Sequence, residues 1–568
     1  MANQLDRRVK YALKQSAFLA VAAFSLIFCH KLSSSSALIN ATGRRQCQES
    51  QCSGTLGLDA LDLGGIQAQL MDGLITSEAL VRTYQARIAE VNGRVRAIGC
   101  LNPEALALAV ERDEQRRAGK ILGELHGIPI LVKDIFVTND TMETTGGSYA
   151  LIGAKFRKPS TIVDRLEAAG AIILGKANLS EWGMARSPKC SNGWSALYGQ
   201  ALAGFYENQD PQGSSSGNAI AASMNLAAAN IGGETCGSIL FPAGNSGVVG
   251  LKPTVGLTSR SGLIPLNPEH DSAGPITRWV KDSAMILQVI AGKDELDPAT
   301  QDIPFDSIPN YVAACSVDGC RGLRIAIPKS VSKSIGSRPE LQKAFEGAIH
   351  TLGQLGAVFV VDDDFDKWKP NGGQREDLFG DVLLREAYEK FFGDLVVNPH
   401  NIRTISDLIE FTKRTPEEEY ERLGAGWFEN ARDAVGSSQS EAFLACKTRM
   451  DDLGNDLVRL LDRTNCDVLL ATPTTDLPLD LGRLPGITVP MGYYSKDMPE
   501  TKGTCSGGLT KLGPNIPQAV LFTGRRFSEE KLIACAYAFE QATLKVADAP
   551  GRLIVKPSSD ITSESTTK

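Results

Sequence analysis

The sequence predicts an α/β protein with a largely parallel or mixed β-sheet covered by helices on both faces. Two kinds of segment lead to this fold class. Short apolar runs such as Ile128–Val132 have the length of buried strands, whereas stretches such as Ser77–Val91 place apolar residues three and four apart, the period of a helix. The two patterns alternate along the chain, which is typical of layered α/β folds.

The first elements are predicted to be helical. From Leu61 to Arg117 the apolar residues keep a helical spacing, and Thr76 or Ser77 can cap the helix that follows. Strands come next, because Gly127–Lys133 is a short buried run that ends in a charge and Ala169–Gly175 is a second such run. Later apolar runs predict four more strands, at Leu323–Ile327, Ala357–Val361, Val468–Ala471 and Ile487–Pro490.

The later part of the chain contains two segments of different composition. Residues 362–440 are rich in charges and helix formers, which predicts a peripheral helical insertion. Ser558–Lys568 are polar and predict a solvated tail. The chain has 568 residues, of which 42% are hydrophobic, so it can bury a large core; length alone would suggest roughly three or four domains. It contains no internal repeat.

Residues 1–37 have the order of a signal peptide. Basic residues come first, an uncharged run from Gln15 to Cys29 with the apolar stretch Phe18–Phe28 follows, and small residues end the segment. The apolar run is shorter than the roughly 20 residues that usually span a membrane, which favours cleavage, but a retained anchor is the alternative. Both interpretations predict the secretory pathway, with a secreted protein in the first case and a membrane-anchored, lumenal or extracellular body in the second. Residues 38–54 would form a linker.

The secretory pathway is oxidising, so some of the twelve cysteines are candidates for disulfide bonds. Cys47 with Cys52 and Cys315 with Cys320 are close enough in sequence to close short disulfide loops, although sequence alone does not fix connectivity. No two cysteines form a CxxC pair, so no zinc site is expected. Glycan acceptor sequences start at Asn40, Asn139 and Asn178, and Asn40 precedes the folded body.

The charge balance argues against a nucleic-acid partner. The chain has 59 Lys and Arg against 66 Asp and Glu, a net charge of −7, without a basic run interleaved with aromatic residues. Gly170–Ala177 matches a phosphate-binding loop until its last position, where Ala177 replaces the hydroxyl that would hold magnesium. That stretch is therefore expected to be the end of a strand, and we expect no metal and no cofactor.

The most informative stretch is Gly213–Gly250, which is rich in glycine, serine and alanine. Its first residues satisfy G-x-S-x-G, so Ser215 is a candidate for the elbow serine of a Ser-His-Asp hydrolase. That elbow requires an apolar strand directly before it, and here the polar loop Tyr206–Gln212 precedes the serine. The chain also has only five histidines. The context therefore argues against this alternative.

The rest of the stretch divides into scaffold and site. Ala219–Ala229 consists of small residues that let a helix pack tightly on a sheet. Packing does not explain Glu234–Ser238, where an apolar segment ends in a polar turn and a new helix is expected from Ile239. Backbone N–H groups at such a turn can receive an oxyanion, and Ser238 would stand beside them.

At these positions the chain resembles the amidase signature family. The motifs are LHGIPILVKD around Lys133, QGSSSG around Ser214 and GGETCGSILFP around Ser238, followed by GVVGLKPTVGLTSRSGLIPL. Further likeness lies in Gly175–Trp182, Asn192–Ala196, Asp271–Thr277 and Gly524–Glu530. The resemblance covers roughly residues 55–545, which implies one large domain containing the 362–440 insertion, with 546–568 as a C-terminal tail. Within the family, these motifs most resemble those of peptide amidases and general carboxamide hydrolases. They are less similar to those of transamidating subunits that work on transfer RNA.

The resemblance implies a Ser-Ser-Lys triad that hydrolyses a carboxamide through an acyl-enzyme. Ser238 would be the nucleophile, Ser214, in a cis peptide, would pass protons, and Lys133 would be the general base. The backbone N–H groups of Thr235, Cys236, Gly237 and Ser238 would hold the oxyanion. A lysine serves as a base only when neutral, so burial must lower its pKa from about 10.4 toward roughly 7–8, and Asp134 beside it must point elsewhere.

Three residues depart from the common family pattern. Cys236 stands where many members have a second glycine, Glu234 places an acid in the turn, and Leu240 replaces a frequent arginine. Two alternatives to an amidase follow from the same residues, namely an acyl transferase or esterase with this triad, and a catalytically silent binding protein. The expected partner is a small-molecule or peptide amide. Its pocket is expected near Met184, Trp194, the 362–440 loops and residues 490–515.

Overall fold

One large mixed sheet forms the centre of the folded body that the described residues make. The computed structural model describes residues 55–361, 363–503 and 507–562, and the sheet has eleven strands within these ranges. In chain order they are β1 (Ile98–Leu101), β2 (Pro129–Lys133), β3 (Ile172–Ala177), β4 (Ala229–Glu234), β5 (Val249–Lys252), β6 (Ser272–Thr277), β7 (Arg324–Ala326), β8 (Val358–Val360), β9 (Val468–Ala471), β10 (Gly486–Tyr493) and β11 (Pro517–Gly524). Their order across the sheet is β8-β7-β9-β11-β10-β5-β6-β4-β2-β3-β1.

Helices surround this sheet. In chain order they are α1 (Leu63–Met71), α2 (Ser77–Val95), α3 (Ala105–Arg117), α4 (Thr161–Ala168), α5 (Ser216–Ser223), α6 (Leu240–Asn245), α7 (Val280–Ile290), α8 (Lys329–Gly336), α9 (Pro339–Gln354), α10 (Asp377–Gly393), α11 (Ile405–Arg414), α12 (Tyr420–Leu423), α13 (Gly426–Asp433), α14 (Glu441–Gly454), α15 (Asp456–Arg463), α16 (Glu529–Thr543) and α17 (Ala549–Arg552). Short strand pairs join Thr55–Leu56 to Ile561–Thr562, Trp194–Ser195 to Gly199–Gln200, and Thr501–Lys502 to Thr510–Leu512. None of the described helices is long and apolar enough to cross a bilayer.

Strand direction and burial confirm the predicted fold class. Strand β2 runs parallel to both β3 and β4, whereas β4, β6, β5, β10 and β11 pair antiparallel in succession. Every residue of β2, β3, β4 and β6 is buried. Successive strand residues point to opposite faces, so complete burial means that both faces of the sheet are covered.

Individual predicted elements also occur where expected. Helix α2 begins at Ser77, and the Thr76 side chain accepts a hydrogen bond from the N–H of Ala79. This bond satisfies one of the first N–H groups of the helix, which otherwise have no partner. The apolar runs predicted as strands became β2, β3, β7, β8, β9 and β10. Gly170–Ala177 contains β3, which confirms the prediction that this stretch is the end of a strand.

The segment 362–440 carries helices α10–α13 and is attached to the body through buried contacts. Trp182 packs against Tyr388, Phe392 and Phe428 of this segment, with ring centroids 5.4, 6.3 and 6.2 Å apart. Beside these rings the Arg186 guanidinium donates to Glu181 at 2.6 Å and to Glu418 at 3.0 Å, with all three side chains buried. A buried charge is tolerated only when it is paired, so these contacts fix the segment beside Trp182.

The structure corrects the prediction of a solvated C-terminal tail. Ser558 and Ser559 bind the Glu90 carboxylate, the N–H of Leu58 donates to Asp560, and Ile561 is buried. The tail is therefore docked as far as residue 562, because its polar atoms find partners on α2 and on the start of the described chain. Polar composition had suggested solvation without showing these partners.

Two predictions about modification also change. Cys315 and Cys320 are not joined to each other, because the Cys320 sulfur instead faces Cys535. Asn178 is fully buried, and its side-chain amide donates to the carbonyls of Arg96 and Gly199, so it cannot accept a glycan in the folded protein. The predictions for residues 1–37, Asn40, Cys47 and Cys52 lie outside the described residues.

Candidate active site

Lys133 ends the buried strand β2 and is almost fully buried, with 1% of its surface exposed. Its ammonium nitrogen donates to the Ser214 hydroxyl oxygen at 2.7 Å and to the Gly233 carbonyl at 3.0 Å. Ser214 is 81 residues away in sequence. The pairing of β2 with β4 places the Gly233 carbonyl beside the lysine, and the loop before α5 supplies the serine.

The surroundings of Lys133 favour its neutral form. Burial lowers the pKa of Lys133 to about 7, although the carboxylates of Asp271 and Glu234 raise it. Burial has the larger effect because an ammonium without water is unstable. The neighbouring Asp134 points away, as strand alternation predicted, and its carboxylate accepts hydrogen bonds from Thr145, Gly147 and Tyr198.

The loop that carries Ser214 is held in place by close backbone contacts. The Gly213–Ser214 peptide is cis, and the Ser214 carbonyl accepts the N–H of Ser180 at 3.0 Å. A side chain at Gly213 would overlap the Ser180 hydroxyl. The N–H of the next residue, Ser215, donates to the carbonyl of Ser238 at 3.1 Å. This bond joins the two serine loops, which are separated by α5 and β4.

Ser215 itself is not an exposed nucleophile. It is fully buried, and its hydroxyl donates to the Gly233 carbonyl at 3.0 Å. The residues before it, Tyr206–Gln212, contain no regular strand. The elbow of a Ser-His-Asp hydrolase needs both a preceding strand and an exposed hydroxyl, so this alternative is wrong.

The turn Thr235–Ser238 lies between β4 and α6. Ser238 is 9% exposed, and within the described chain its hydroxyl makes no hydrogen bond, to Ser214 or to any other group. Gly237 has a φ of 77°, and a Cβ there would overlap the Phe241 ring. Cys236 is exposed and has no positive φ. The position that requires a positive φ is therefore occupied by a glycine, and Cys236 does not distort the turn.

Glu234 holds the end of this turn. One of its carboxylate oxygens accepts the N–H groups of Ile239 at 2.6 Å and Leu240 at 2.9 Å, and the other has no hydrogen-bond partner among the described residues. Burial raises the pKa of this carboxyl, while the Lys252 ammonium and the N–H groups of Leu240, Ile239 and Gly237 act in the opposite direction. The acid that departs from the family pattern thus satisfies the first N–H groups of α6.

Asp271 connects the turn to a second loop, a role that sequence reasoning missed. One carboxylate oxygen accepts the Thr235 hydroxyl, and the other accepts the N–H groups of Leu266 at 2.8 Å and Asn267 at 2.9 Å. Burial raises the pKa of this carboxyl, and these hydrogen bonds oppose the rise. The motif DSAGPIT contributed to the family resemblance, but only the tertiary contacts show what its first residue does.

A small pocket opens beside Lys133 and Ser214. It is lined by Lys133, Ile135, Ser214, Gly233, Glu234, Thr235, Leu263, Ile264, Leu266, Asp271 and Ser272. Its apolar wall consists of the branched aliphatic side chains of Ile135, Leu263, Ile264 and Leu266. Met184 also reaches this area, since its sulfur lies close to Gly213. Among the described residues no group of three or more His, Cys, Asp or Glu side chains could hold a metal ion.

Comparison with known proteins assigns this chain to a family. The model of the amidase family matches residues 79–533. The chain belongs to the amidase family. A "Putative amidase" of Arthroderma benhamiae is 40% identical over 486 residues, which covers 84% of this chain and 81% of the relative. The chain is also similar to a probable amidase of Arabidopsis thaliana, with 34% identity over 521 residues, which covers 90% of this chain and 95% of the relative.

A solved structure of the amidase family shares the architecture. The native peptide amidase of Stenotrophomonas maltophilia superimposes with a TM-score of 0.76 at 35% sequence identity, covering 85% of this chain and 97% of that chain. This similarity confirms the mixed α/β architecture and the resemblance that the motifs had indicated.

Proposed function

We propose that this amidase hydrolyses the C–N bond of a carboxamide, giving a carboxylic acid and ammonia or an amine, through an acyl-enzyme on Ser238. The observation that carries the proposal is the 2.7 Å contact between the buried Lys133 amine and the Ser214 hydroxyl, together with a Lys133 pKa of about 7. About half of the lysine is neutral at that pH, so a base is present where a serine needs one.

The proposed chemistry begins with two proton transfers. Neutral Lys133 takes the Ser214 proton while Ser214 takes the proton of Ser238, whose oxygen attacks the amide carbon. The hydroxyls of Ser214 and Ser238 must come within hydrogen-bond distance for this step, which a bound substrate can bring about. The proton then returns through Ser214 to the leaving amine, and water releases the acid from Ser238.

The turn before Ser238 would stabilise the negative charge that develops on the carbonyl oxygen. Within the described chain the N–H groups of Thr235, Cys236 and Ser238 donate no hydrogen bond, and the Gly237 N–H lies beside the Glu234 carboxylate. Preorganised N–H donors of this kind typically lower a barrier by about 3–4 kcal/mol each. We infer that the N–H groups of Thr235, Cys236 and Ser238 form the oxyanion site, and that the Gly237 N–H contributes to it only if it leaves the Glu234 carboxylate.

The proposed substrates are small-molecule or peptide amides, with a linear amide other than an internal peptide bond as the reacting group. The similarity to a peptide amidase supports this substrate class. The aliphatic walls of the pocket, Ile135, Leu263 and Leu266, favour an apolar group next to the carbonyl carbon.

An assay of the full chain tests the function. Ammonia or amine release is measured with primary amides, peptide amides, anilides and esters. We expect amide hydrolysis, and a decrease of at least about 10³-fold for Ser238→Ala, Ser214→Ala and Lys133→Ala. Ser223→Ala is the matched control, because this buried serine lies in the same segment but donates only within its own helix. Ester cleavage or acyl transfer without amide hydrolysis would favour the transferase or esterase alternative.

A second measurement separates a silent binding protein from an enzyme. A serine-reactive phosphonate is expected to label Ser238 and to block ammonia release in the same proportion. Folded protein that binds amides but resists labelling and releases no ammonia would contradict the proposal.

We also propose that residues 1–37 direct the protein into the secretory pathway. The basic start, apolar run and small residues of this segment support the proposal. N-terminal sequencing of the protein from a eukaryotic secretory host distinguishes a cleaved, secreted form from an anchored one. Retention of the uncleaved chain in the cytosol would contradict both.

A further inference from the structure

Two buried thiols face each other far from the triad. Cys320 lies in the turn before β7, and Cys535 lies in α16. Neither side chain is exposed to solvent, and the two sulfur atoms are 3.0 Å apart. The residues are 215 positions apart in sequence, so the fold and not local spacing brings them together.

This separation is shorter than ordinary contact. Nonbonded carbon atoms pack best at about 3.5–4.0 Å, and sulfur is the larger atom, whereas a disulfide bond measures about 2.05 Å. The sulfur atoms therefore need to approach by only about 1 Å to form a bond, a movement that small side-chain rotations can supply.

The backbone around the thiols also comes unusually close. A Cβ added at Gly319 would overlap the carbonyl oxygen of Ala534, so only glycine allows this approach. The Cys320 sulfur lies 3.4 Å from the carbonyl oxygen of Cys535 as well. The turn and the helix are thus held at a separation that suits a cross-link between their cysteines.

The other nearby cysteine is directed elsewhere. The Cys315 sulfur is half-buried and lies 3.9 Å from the carbonyl oxygen of Tyr311, one turn earlier in its own segment. The spacing of Cys315 and Cys320 had suggested a short disulfide loop, but the tertiary contact leads Cys320 to a different partner.

We propose that Cys320 and Cys535 form a disulfide that ties the turn before β7 to α16. In the forming step one thiolate attacks the mixed disulfide that the other has made with a small-molecule or protein disulfide, for example glutathione disulfide. One S–S bond forms within this chain, the oxidant leaves as two thiols, and two protons and two electrons pass from the cysteines to it. Because both sulfurs are inaccessible in the folded protein, the bond forms while the core is still open.

The bond would secure one edge of the sheet. Strands β7 and β8 have three residues each and lie at the end of the strand order, whereas α16 packs on β10 and β11 in the interior. A cross-link over a loop this long removes many unfolded conformations. The expected consequence is a stabilised β7–β8 edge, with no change in the amide-hydrolysing groups.

Differential alkylation of the full chain, produced in a eukaryotic secretory host, tests the proposal. The protein is denatured without reductant in iodoacetamide, then reduced and treated with N-ethylmaleimide, and peptides are identified by mass spectrometry. We expect Cys320 and Cys535 to carry the second label, and a linked peptide pair, about 2 Da lighter than the two thiols, in the unreduced digest. Iodoacetamide on both cysteines, or linkage of either one to a different cysteine, would overturn the proposal.

Single variants supply the matched comparison. Cys320→Ala is expected to move Cys535 to the first label, whereas Cys315→Ala leaves the labelling of both unchanged. Reductant is expected to lower the Tm of the wild type toward that of the double variant Cys320→Ala/Cys535→Ala and to leave the Tm of that variant unchanged. A wild-type Tm insensitive to reductant under conditions that reduce the linked peptides would contradict the stabilising role. If a variant fails to fold, the wild-type peptide map alone decides the connectivity.

Discussion

Replacing Lys133 by methionine should abolish amide hydrolysis and, at neutral pH, make the protein more stable. Methionine is similar in length to lysine and carries no charge, so it fits a site in which only 1% of the lysine surface is exposed. Under the proposed function Lys133 serves the chemistry although its burial opposes folding, a conflict that is common at active sites.

The magnitude follows from the pKa of Lys133, which is about 7 in the folded protein against an ordinary value of 10.5. One pKa unit corresponds to about 1.36 kcal/mol, so the whole shift corresponds to about 5 kcal/mol. Between these two values the unfolded chain binds more protons than the folded one, so stability rises with pH across this window, and the destabilisation is complete only below pH 7. At pH 7 it is still about 4 kcal/mol. Methionine also loses two hydrogen bonds worth about 1 kcal/mol each, which leaves a net gain of about 2 kcal/mol.

Urea unfolding between pH 6 and pH 9.5 measures this effect, with amide hydrolysis as the parallel readout. We expect Lys133→Met to be inactive, to unfold at higher urea concentration than the wild type at pH 7, and to lose this advantage progressively as the pH rises. Lys293→Met, at an exposed lysine, is the control for a change of charge alone. A variant less stable than the wild type at pH 6–7, or an unchanged difference across the pH range, would refute the reasoning.

Three further predictions concern the proposed active site and the ion pair that attaches the 362–440 segment. The kcat/KM for amide hydrolysis should rise as the pH increases through about 7, where Lys133 loses its proton. The Asp271 carboxylate raises the pKa of Lys133, so Asp271→Asn should lower this pKa and move the rising limb to lower pH. A pH–rate profile measures the shift, and movement of the limb to higher pH would contradict the prediction. Gly237→Ala should lower kcat by about 10²-fold or more, because the new Cβ meets the Phe241 ring. The kcat of the control Cys236→Ala should stay within about threefold of the wild type, and equal losses of kcat in the two variants would show that the φ of Gly237 does not matter. Arg186→Met should destabilise the protein by about 3–5 kcal/mol in urea unfolding, because two buried carboxylates lose their cation, and a change under 1 kcal/mol would contradict the role of this ion pair.

Local patterns in the sequence were enough for much of the fold. The cap at Thr76, the strand that ends in Lys133 and the turn before Ser238 each depend on neighbouring residues, and the structure has all three. The docked tail could not be predicted in this way, because Ser558 is polar in any context and only the position of Glu90 gives it a partner.

The candidate site shows the same division. The motifs identified Lys133, Ser214 and Ser238 as candidates. The alternation of side chains along a strand predicted correctly that Asp134 points away from the lysine. Neither motif nor spacing could show that Asp271 binds the Thr235 hydroxyl, since that contact spans 36 residues and two loops. The partner of Cys320 was missed for the same reason.

By itself the sequence determined the alternation of helices and strands, the family to which the chain belongs and the residue types available for serine chemistry, because periodicity and short motifs are local properties. Only the tertiary structure decided how the Gly213–Gly250 block is used. Pairing of β2 with β4 buries Lys133 and so lowers its pKa. The contact between the Ser215 N–H and the Ser238 carbonyl brings together the loops that carry Ser214 and Ser238. Gly237, and not Cys236, has the positive φ in the turn. These depend on long-range packing and on the removal of water, which no stretch of sequence contains.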